Sequence, residues 1–268
     1  MSPLSITTIQ TDLYWEDKPA NLGMLEKKME TIPPGAEIVI LPEMFSTGFS
    51  MQSALLAESM NGNTVRWMKK TASAHKIILT GSVIIEEGGH FFNRLIWMQP
   101  DGNYGFYDKR HLFAFASEDE SYTAGRKRLI TSVKGWKVNL QICYDLRFPV
   151  WIRQKSDIHD NPKKEPEYDL IVFVANWPES RKHAWKTLLQ ARAIENQCYV
   201  VGVNRIGKDG KNIYHSGDSM VVDPLGEILY TGSDREEIHT MILHKEKLAE
   251  VRSRFPFGKD AEFFSIDP

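Results

Sequence analysis

The sequence predicts a layered α/β fold with a mixed sheet, and three observations support this prediction. Short apolar runs rich in β-branched residues alternate with helix-like stretches along the whole chain, which is typical of sheets covered by helices. Some neighbouring strands are separated only by a short glycine turn, which favours antiparallel pairs beside parallel ones. No internal repeat or low-complexity tract divides the 268 residues, so we expect one domain spanning 1–268.

Strands are predicted where apolar and β-branched residues cluster between turn signals. These runs are Ser5–Thr11, Glu37–Leu41, Ile77–Ile85, Arg94–Gln99, Val138–Cys143, Leu170–Ala175, Tyr199–Asn204 and Ser219–Asp223. Hairpin turns are expected at Gly88-Gly89 and at Asp223–Gly226, the latter leading into a strand at Glu227–Tyr230.

Helical periodicity covers Ala20–Ile32, Thr64–His75, Arg181–Gln197 and roughly His244–Arg254. The first helix is expected to end at Pro33-Pro34-Gly35, because proline and glycine both interrupt helices. The polar stretch Lys155–Glu167, which contains two prolines, is predicted to be a surface loop away from the chemistry.

Composition excludes several classes of function. The net charge of −2 favours neither nucleic acid nor an anionic membrane as partner. No apolar run approaches the roughly 20 residues of a membrane span, and residues 1–6 do not resemble a secretory signal. The two cysteines, Cys143 and Cys198, are too few for a disulfide framework, so we expect a reduced, cytoplasmic protein.

Reactive residues follow three of the apolar strands. Glu43 comes after the strand Ile38–Leu41 and Pro42, and Lys109 follows the apolar segment Tyr104–Tyr107. Ligands bind beyond the carboxyl ends of strands in α/β sheets, so both side chains are candidates for a cleft. Taken alone, Glu43 is better explained as a turn cap or the partner of a surface base, and Lys109 as a surface lysine.

Cys143 ends the third of these strands, directly before a turn and a helix expected to start at Pro149. A cysteine in such a turn lies near backbone N–H groups and a helix N-terminus. These lower the thiol pKa below its free value of about 8.5 and can stabilise an oxyanion. The alternative is a buried structural thiol, which fits Cys198 better because that residue lies at an apolar junction between helix and strand.

The order of three motifs resembles the nitrilase, or carbon–nitrogen hydrolase, superfamily. They are Leu41–Glu43, Tyr107–Leu112 and Cys143–Pro149, in which the Glu, Lys and Cys are separated by 66 and 34 residues. Ala175–Pro178 and Arg192–Asn196 extend the likeness over essentially the whole chain, and the combination is most similar to the ω-amidase branch. The resemblance implies a single carbon–nitrogen hydrolase domain folded as a four-layer αββα sandwich, which forms a homodimer or higher homo-oligomer.

The resemblance also implies the catalytic roles. Cys143 would be the nucleophile, Glu43 the general acid–base, and Lys109 with the backbone N–H of Tyr144 the oxyanion stabiliser. A second glutamate supports the triad in this superfamily, and Glu118 occupies the matching place seven residues before Gly125, with Glu120 as its competitor. The eight histidines show no His-x-His or His-x₃-His pair, and the mechanism needs neither metal nor cofactor.

Specificity is expected to depend on Arg147, four residues after the nucleophile. Its guanidinium could bind a substrate carboxylate in a bidentate manner, or it could instead pair with a buried acid such as Asp145. Phe113, Phe115 and Trp177 are candidates to line the pocket, although large aromatic residues more often pack in the core. Arg192 and Glu195 are expected to form an ion pair along one helix.

The predicted activity is hydrolysis of the terminal amide of small 2-oxo acid amides, such as 2-oxoglutaramate and 2-oxosuccinamate, through a thioester. Deaminated glutathione or an N-carbamoyl compound would be alternative substrates for the same chemistry. A non-enzymatic scaffold or thiol sensor is a different class, and it would be expected to have a disrupted triad or a second cysteine close in sequence to Cys143.

Overall fold

The computed structural model describes residues 2–154 and 166–266. The strands in these residues are β1 Leu4–Gln10, β2 Ile38–Ile40, β3 Ile78–Glu87, β4 His90–Met98, β5 Tyr104–Asp108, β6 Ile130–Val133, β7 Trp136–Ile142, β8 Leu170–Ala175, β9 Tyr199–Asn204, β10 Ile206–Lys208, β11 Tyr214–Val222, β12 Ile228–Ser233 and β13 Glu237–Leu243. The α-helices are α1 Lys18–Met29, α2 Ser53–Leu56, α3 Asn63–His75, α4 Glu118–Ser121, α5 Pro149–Ile152, α6 Lys182–Asn196 and α7 Lys245–Arg254.

The strands form two mixed sheets. The first has the order β13-β1-β2-β3-β4-β5, and the second has the order β10-β11-β9-β8-β7-β6 with β12 beside β11. In each sheet three central strands are parallel, β1-β2-β3 and β7-β8-β9, while their neighbours are antiparallel. The mixed character predicted from the hairpin signals is therefore confirmed, and Gly88 and Gly89 form the β3–β4 turn with φ of 61° and 79°.

The two sheets pack face to face around a common apolar core. Ile6, Ile38 and Ile40 of the first sheet belong to the same buried cluster as Leu140 and Val172 of the second. Each fully buried aliphatic side chain contributes roughly 1.5–3 kcal/mol relative to exposure. Burial between the sheets therefore stabilises the fold and holds the strand ends of both sheets in place.

Helices cover the outer face of each sheet. Leu25 and Met29 of α1 and Met68 of α3 pack in a cluster on the first sheet, whereas Trp185 and Leu189 of α6 belong to the core of the second. The order helix, sheet, sheet, helix confirms the four-layer αββα sandwich. No helix among the described residues is long and apolar enough to cross a membrane.

Element boundaries differ from the predictions at several places. Helix α1 ends at Met29 rather than at the prolines, because the N–H groups of Thr31 and Ile32 make tight turn bonds to residues three positions back. This agrees with the bias of a residue before proline away from helical angles. The predicted surface loop Lys155–Glu167 lies outside the described residues except for its last two positions.

Candidate active site

Strand directions bring the candidate residues to one edge of the sandwich. Glu43 follows β2, and Lys109 follows β5, which runs in the same direction because β4 is antiparallel to both β3 and β5. In the second sheet, Cys143 and Asn176 follow the parallel strands β7 and β8. Two strand ends from each sheet thus face the same space, as expected for a crevice at carboxyl strand ends.

A buried ion cluster forms the centre of this edge. The Nζ atom of Lys109 lies 2.9 Å from Oε1 of Glu43, and 3.0 and 2.9 Å from the two carboxylate oxygens of Glu118. All three side chains are fully buried. Of the two glutamates considered for the second position, Glu118 contacts the lysine, whereas Glu120 is exposed.

Charge complementarity within the cluster shifts its pKa values. Burial opposes the charge on Lys109, but the carboxylates of Glu118 and Glu43 outweigh it and raise the lysine pKa. The pKa of Glu118 is also raised, because burial and the nearby Glu43 together exceed the attraction of Lys109. The lysine therefore stays cationic, and the region beside it is rich in negative charge.

Two asparagines complete the hydrogen bonds of Glu43. The Nδ2 of Asn93 donates to its Oε1 at 2.8 Å, and the backbone N–H of Asn176 donates to its Oε2 at 2.8 Å. The side chain of Asn176 also donates to the backbone carbonyl of Glu43 at 2.6 Å. Sequence reasoning placed Asn176 within a motif without a role, and it missed Asn93, which lies inside β4 rather than at a strand end.

Cys143 occupies a strained turn beside the cluster. Its φ of 43° is in the left-handed region, and a 3₁₀ turn Cys143–Arg147 starts at the cysteine itself. Asp145 holds this turn, since its carboxylate accepts the N–H of Ile142 at 3.1 Å and the hydroxyl of Tyr107 at 2.8 Å. Strain of this kind costs on the order of 1–3 kcal/mol and persists only where surrounding contacts fix it.

The pKa of the Cys143 thiol is raised well above its ordinary value, contrary to the prediction that it would be lowered. Burial is the largest cause, and the charges of Glu43 and Glu118 raise the pKa further, against the lowering effects of Lys109 and the N–H of Asn176. The helix expected to start at Pro149 does start there, but it is only the single turn Pro149–Ile152. The resting cysteine is therefore a protonated thiol at neutral pH.

An open cavity of about 650 Å³, counting its mouth, gives access to Cys143. Phe113, Tyr144, Arg147 and Trp177 all line it, as predicted. Phe115 does not, because it projects from the turn Ala114–Ala116 and is 86% exposed. Sequence reasoning missed other lining residues that come from several separate segments: Phe49, Met51, Ala116, Pro178, Arg181, Asp209, Lys211, Ile213 and His215.

Arg147 is directed to the cavity rather than to Asp145. Its guanidinium lies 5.0 Å from the centroid of the Trp177 ring, a favourable cation–π arrangement. The oxygens of Asp145 are occupied instead by Tyr107, Ile142 and His111. The predicted alternative of an Arg147–Asp145 ion pair is therefore wrong in this structure.

Arg192 and Glu195 form the expected ion pair, at 3.1 Å between Nη1 and Oε1. Arg192 has a second contact that the spacing did not predict, because its guanidinium donates to the carbonyl of Leu146 at 2.6 and 3.1 Å. This links α6 to the turn that carries Cys143.

Comparison with known proteins agrees with this fold. Residues 5–253 match the family model described as carbon-nitrogen hydrolase. The chain is 40% identical to the omega-amidase YafV of Escherichia coli over 99% of this chain and 100% of that one. It is 32% identical to the 2-oxoglutaramate amidase of Bacillus subtilis over 96% of each chain.

One solved structure is also similar to this chain in sequence and fold. XC1258 from Xanthomonas campestris, described as a CN-hydrolase superfamily protein with an arsenic adduct in the active site, is 43% identical with a TM-score of 0.96 and full coverage of both chains. The fold and these relatives define a hydrolase of carbon–nitrogen bonds other than peptide bonds. The chain belongs to the carbon–nitrogen hydrolase family, also called the nitrilase superfamily, and within it to an ω-amidase-like branch.

Proposed function

We propose that this protein is a cysteine-dependent ω-amidase that converts 2-oxoglutaramate and 2-oxosuccinamate to the corresponding dicarboxylates and ammonia. The observation that carries the proposal is the position of Cys143, which lines an open cavity together with Lys109 and the aromatic-stacked Arg147. The cavity thus combines a nucleophile with a cation suited to a substrate carboxylate. The omega-amidase and 2-oxoglutaramate amidase among the relatives support the same substrate class.

In the acylation step, Glu43 accepts the thiol proton while sulfur attacks the amide carbon. Because the thiol pKa is raised, proton transfer accompanies attack and no thiolate accumulates beforehand. The ammonium of Lys109 and the N–H of Tyr144 stabilise the oxyanion. Glu43 then returns the proton to nitrogen, the C–N bond breaks, and ammonia leaves a thioester on Cys143.

In the deacylation step, water replaces ammonia. Glu43 removes a proton from water as its oxygen attacks the thioester carbon, and the C–S bond then breaks with return of the proton to sulfur. Glu118 and Asn93 hold the side chains of Lys109 and Glu43 in position, since each contacts the cluster from a separate segment. Their role is to position the reacting groups rather than to exchange protons.

We also propose that the protein acts as a cytoplasmic homodimer or higher homo-oligomer. Both cysteines are free and buried, as expected in a reducing compartment. Exposed apolar residues near α5 and α6, including Val150 and Ile194 at 62% and 54% exposure, are suited to a subunit contact. Sedimentation velocity would test the assembly, and a monomer at micromolar concentration would contradict it.

A substrate panel tests the proposed activity. Ammonia release is measured for 2-oxoglutaramate, 2-oxosuccinamate, deaminated glutathione, an N-carbamoyl amino acid, an aliphatic nitrile and an uncharged amide. We expect the highest kcat/KM for the two 2-oxo acid amides. Preference for deaminated glutathione or the carbamoyl compound would favour those alternatives, and absence of ammonia from every compound would favour a scaffold or thiol sensor.

A further inference from the structure

A second arginine, Arg181, lines the active-site cavity beside Arg147. Its guanidinium lies 5.2 Å from the centroid of the Phe113 ring, an arrangement similar to that of Arg147 over Trp177. Among the described residues, no carboxylate lies within ion-pair distance of either arginine. Arg147 is exposed and Arg181 is half-buried, whereas four arginines with side chains at most 8% exposed each have an acidic partner: Arg94, Arg128, Arg192 and Arg205.

The aromatic residues that contact the two guanidinium groups are themselves hydrogen-bonded, one to the other arginine and one to the catalytic cluster. The indole Nε1–H of Trp177 donates to the carbonyl of Arg181 at 2.9 Å, while the same ring supports the guanidinium of Arg147. The backbone N–H of Phe113 donates to Glu118 at 2.6 Å. The aromatic supports of the two guanidinium groups are thus fixed relative to the reacting groups.

The rest of the cavity wall does not neutralise these cations. Asp209 lines the cavity, but one of its oxygens accepts the backbone N–H groups of Lys211 and Ile213 at 2.8 and 2.9 Å, and Lys211 adds a further cation. Burial and the neighbouring Arg205 lower the pKa of His215 to about 4, so this residue is neutral at pH 7. The wall therefore has an excess of positive charge that an anionic ligand would balance.

We infer that Arg147 and Arg181 together bind the 2-oxo acid end of the substrate, with Arg147 on the carboxylate and Arg181 on the 2-oxo oxygen and the adjacent carboxylate oxygen. This inference rests on the proposed function. A 2-oxo acid presents three acceptor oxygens on two adjacent carbons, and a single guanidinium fork satisfies two of them. A second guanidinium supplies donors for the third.

This arrangement also discriminates against amino acids. Glutamine differs from 2-oxoglutaramate in having an ammonium group where the 2-oxo group stands, and a cationic residue at that place repels it. Arg181 would thus be a specificity-determining residue that selects the 2-oxo acid amide over its amino acid counterpart. A repulsive contact of this kind is a general route to specificity.

The test compares Arg181→Met and Arg181→Lys with Lys182→Met. The control removes an exposed lysine one position away that pairs with Glu179 at 2.7 Å. Each variant is assayed with 2-oxoglutaramate, with the monoamide of pentanedioic acid, which lacks the 2-oxo group, and with glutamine. For Arg181→Met we expect kcat/KM on 2-oxoglutaramate to fall roughly 10- to 150-fold, the range of one hydrogen bond to a charged group.

The loss should be several-fold smaller on the monoamide, and the preference for 2-oxoglutaramate over glutamine should narrow. Arg181→Lys should recover part of the activity, and Lys182→Met should behave as wild type. The alkylation rate of Cys143 with iodoacetamide should be unchanged in Arg181→Met, which shows an intact site. A loss below 3-fold on 2-oxoglutaramate, or an equal loss on the monoamide, overturns the inference.

A binding experiment separates this inference from the proposed function. Calorimetric titration of 2-oxoglutarate into Cys143→Ala protein, with and without Arg181→Met, measures the affinity of the site for a 2-oxo acid without turnover. Failure of the wild type to hydrolyse 2-oxoglutaramate would refute the proposed function. Weaker binding of 2-oxoglutarate on loss of Arg181 would still support binding of the 2-oxo acid end by both arginines, and unchanged binding would refute it.

Discussion

Cys143 and Cys198 lie in similar backbone settings but in different chemical surroundings. Each is buried in the same apolar core cluster and lies where a helix or turn meets a strand. Each has a left-handed residue at the junction, with φ of 43° at Cys143 itself and 44° at Gln197. Burial raises the pKa of both thiols. Neither the backbone conformation nor the thiol pKa therefore distinguishes them.

The difference lies in what reaches each sulfur atom. Cys143 lines a cavity, and Glu43, Lys109 and the N–H of Asn176 lie close enough to shift its pKa. Cys198 is fully buried and does not line the cavity that gives access to Cys143. In the proposed mechanism, Cys143 rather than Cys198 is the nucleophile because of access, a base and a cation, and not because of a low intrinsic pKa. Variants that remove each of these features separately test this comparison.

Loss of the nucleophile should have the largest effect. Cys143→Ala removes only sulfur at a position where alanine has the same backbone preferences, so we expect folding to persist and kcat to fall by roughly 10⁴-fold or more. Cys198→Ala should keep most activity and lose about 1 kcal/mol of stability. Ammonia release and thermal unfolding are measured for both variants. Inactivation by iodoacetamide with label mapped only to Cys198 would contradict the assignment.

Loss of the base should have the next largest effect. Glu43→Gln retains the shape and one hydrogen-bond acceptor but cannot take the thiol proton, so kcat/KM should fall roughly 10²- to 10⁴-fold. Both acylation and deacylation should slow. Single-turnover measurement of ammonia and of the thioester separates the two steps, and a normal rate for either step would assign that proton transfer to another group.

Loss of the substrate-binding cation tests the cavity. Arg147→Ala should lower kcat/KM for 2-oxoglutaramate roughly 30- to 1000-fold, because one desolvated charge-assisted pair contributes on the order of 2–4 kcal/mol. Arg147→Lys should recover only part of this loss, since the bidentate fork is absent. The measurement is repeated with an uncharged amide. Equal losses on both substrates would assign Arg147 a structural role.

Much of the fold and the site could be predicted because the informative residues lie at ends of buried strands. Glu43, Lys109 and Cys143 could be predicted from their positions after strands, and the order of their motifs indicated the family. The edge strands β6 and β13 were missed, because their residues are mostly half-exposed and show no clear apolar alternation.

The rest of the site depends on contacts between distant segments. Asn93 lies within a strand, and His215 reaches the cavity from a segment far from the motifs in sequence. Arg181 follows the motif Ala175–Pro178 closely, but its position in the cavity depends on how the chain turns after that motif. The direction of the Cys143 pKa shift was predicted wrongly because it depends on the sum of burial and three charges. The sequence shows the lysine, the turn and the candidate glutamates, but not how completely the thiol is buried or which of these charges has the larger effect.

Loss of the catalytic cation should have the smallest measured effect, a shift in the pH profile of alkylation. Lys109 lowers the Cys143 pKa against the larger effects of burial and Glu43, so Lys109→Met should raise it further and move the iodoacetamide profile to higher pH.

The single variant leaves two buried carboxylates without a partner and could lose roughly 3–5 kcal/mol of stability. Lys109→Met with Glu118→Gln removes one charge of each sign and keeps the test valid. Cys143 alkylation is followed from pH 6 to 10 by peptide mapping, with Lys182→Met as the control for a lost surface charge. An unchanged profile in the double variant together with normal turnover would place Lys109 outside the reaction and refute the proposed triad.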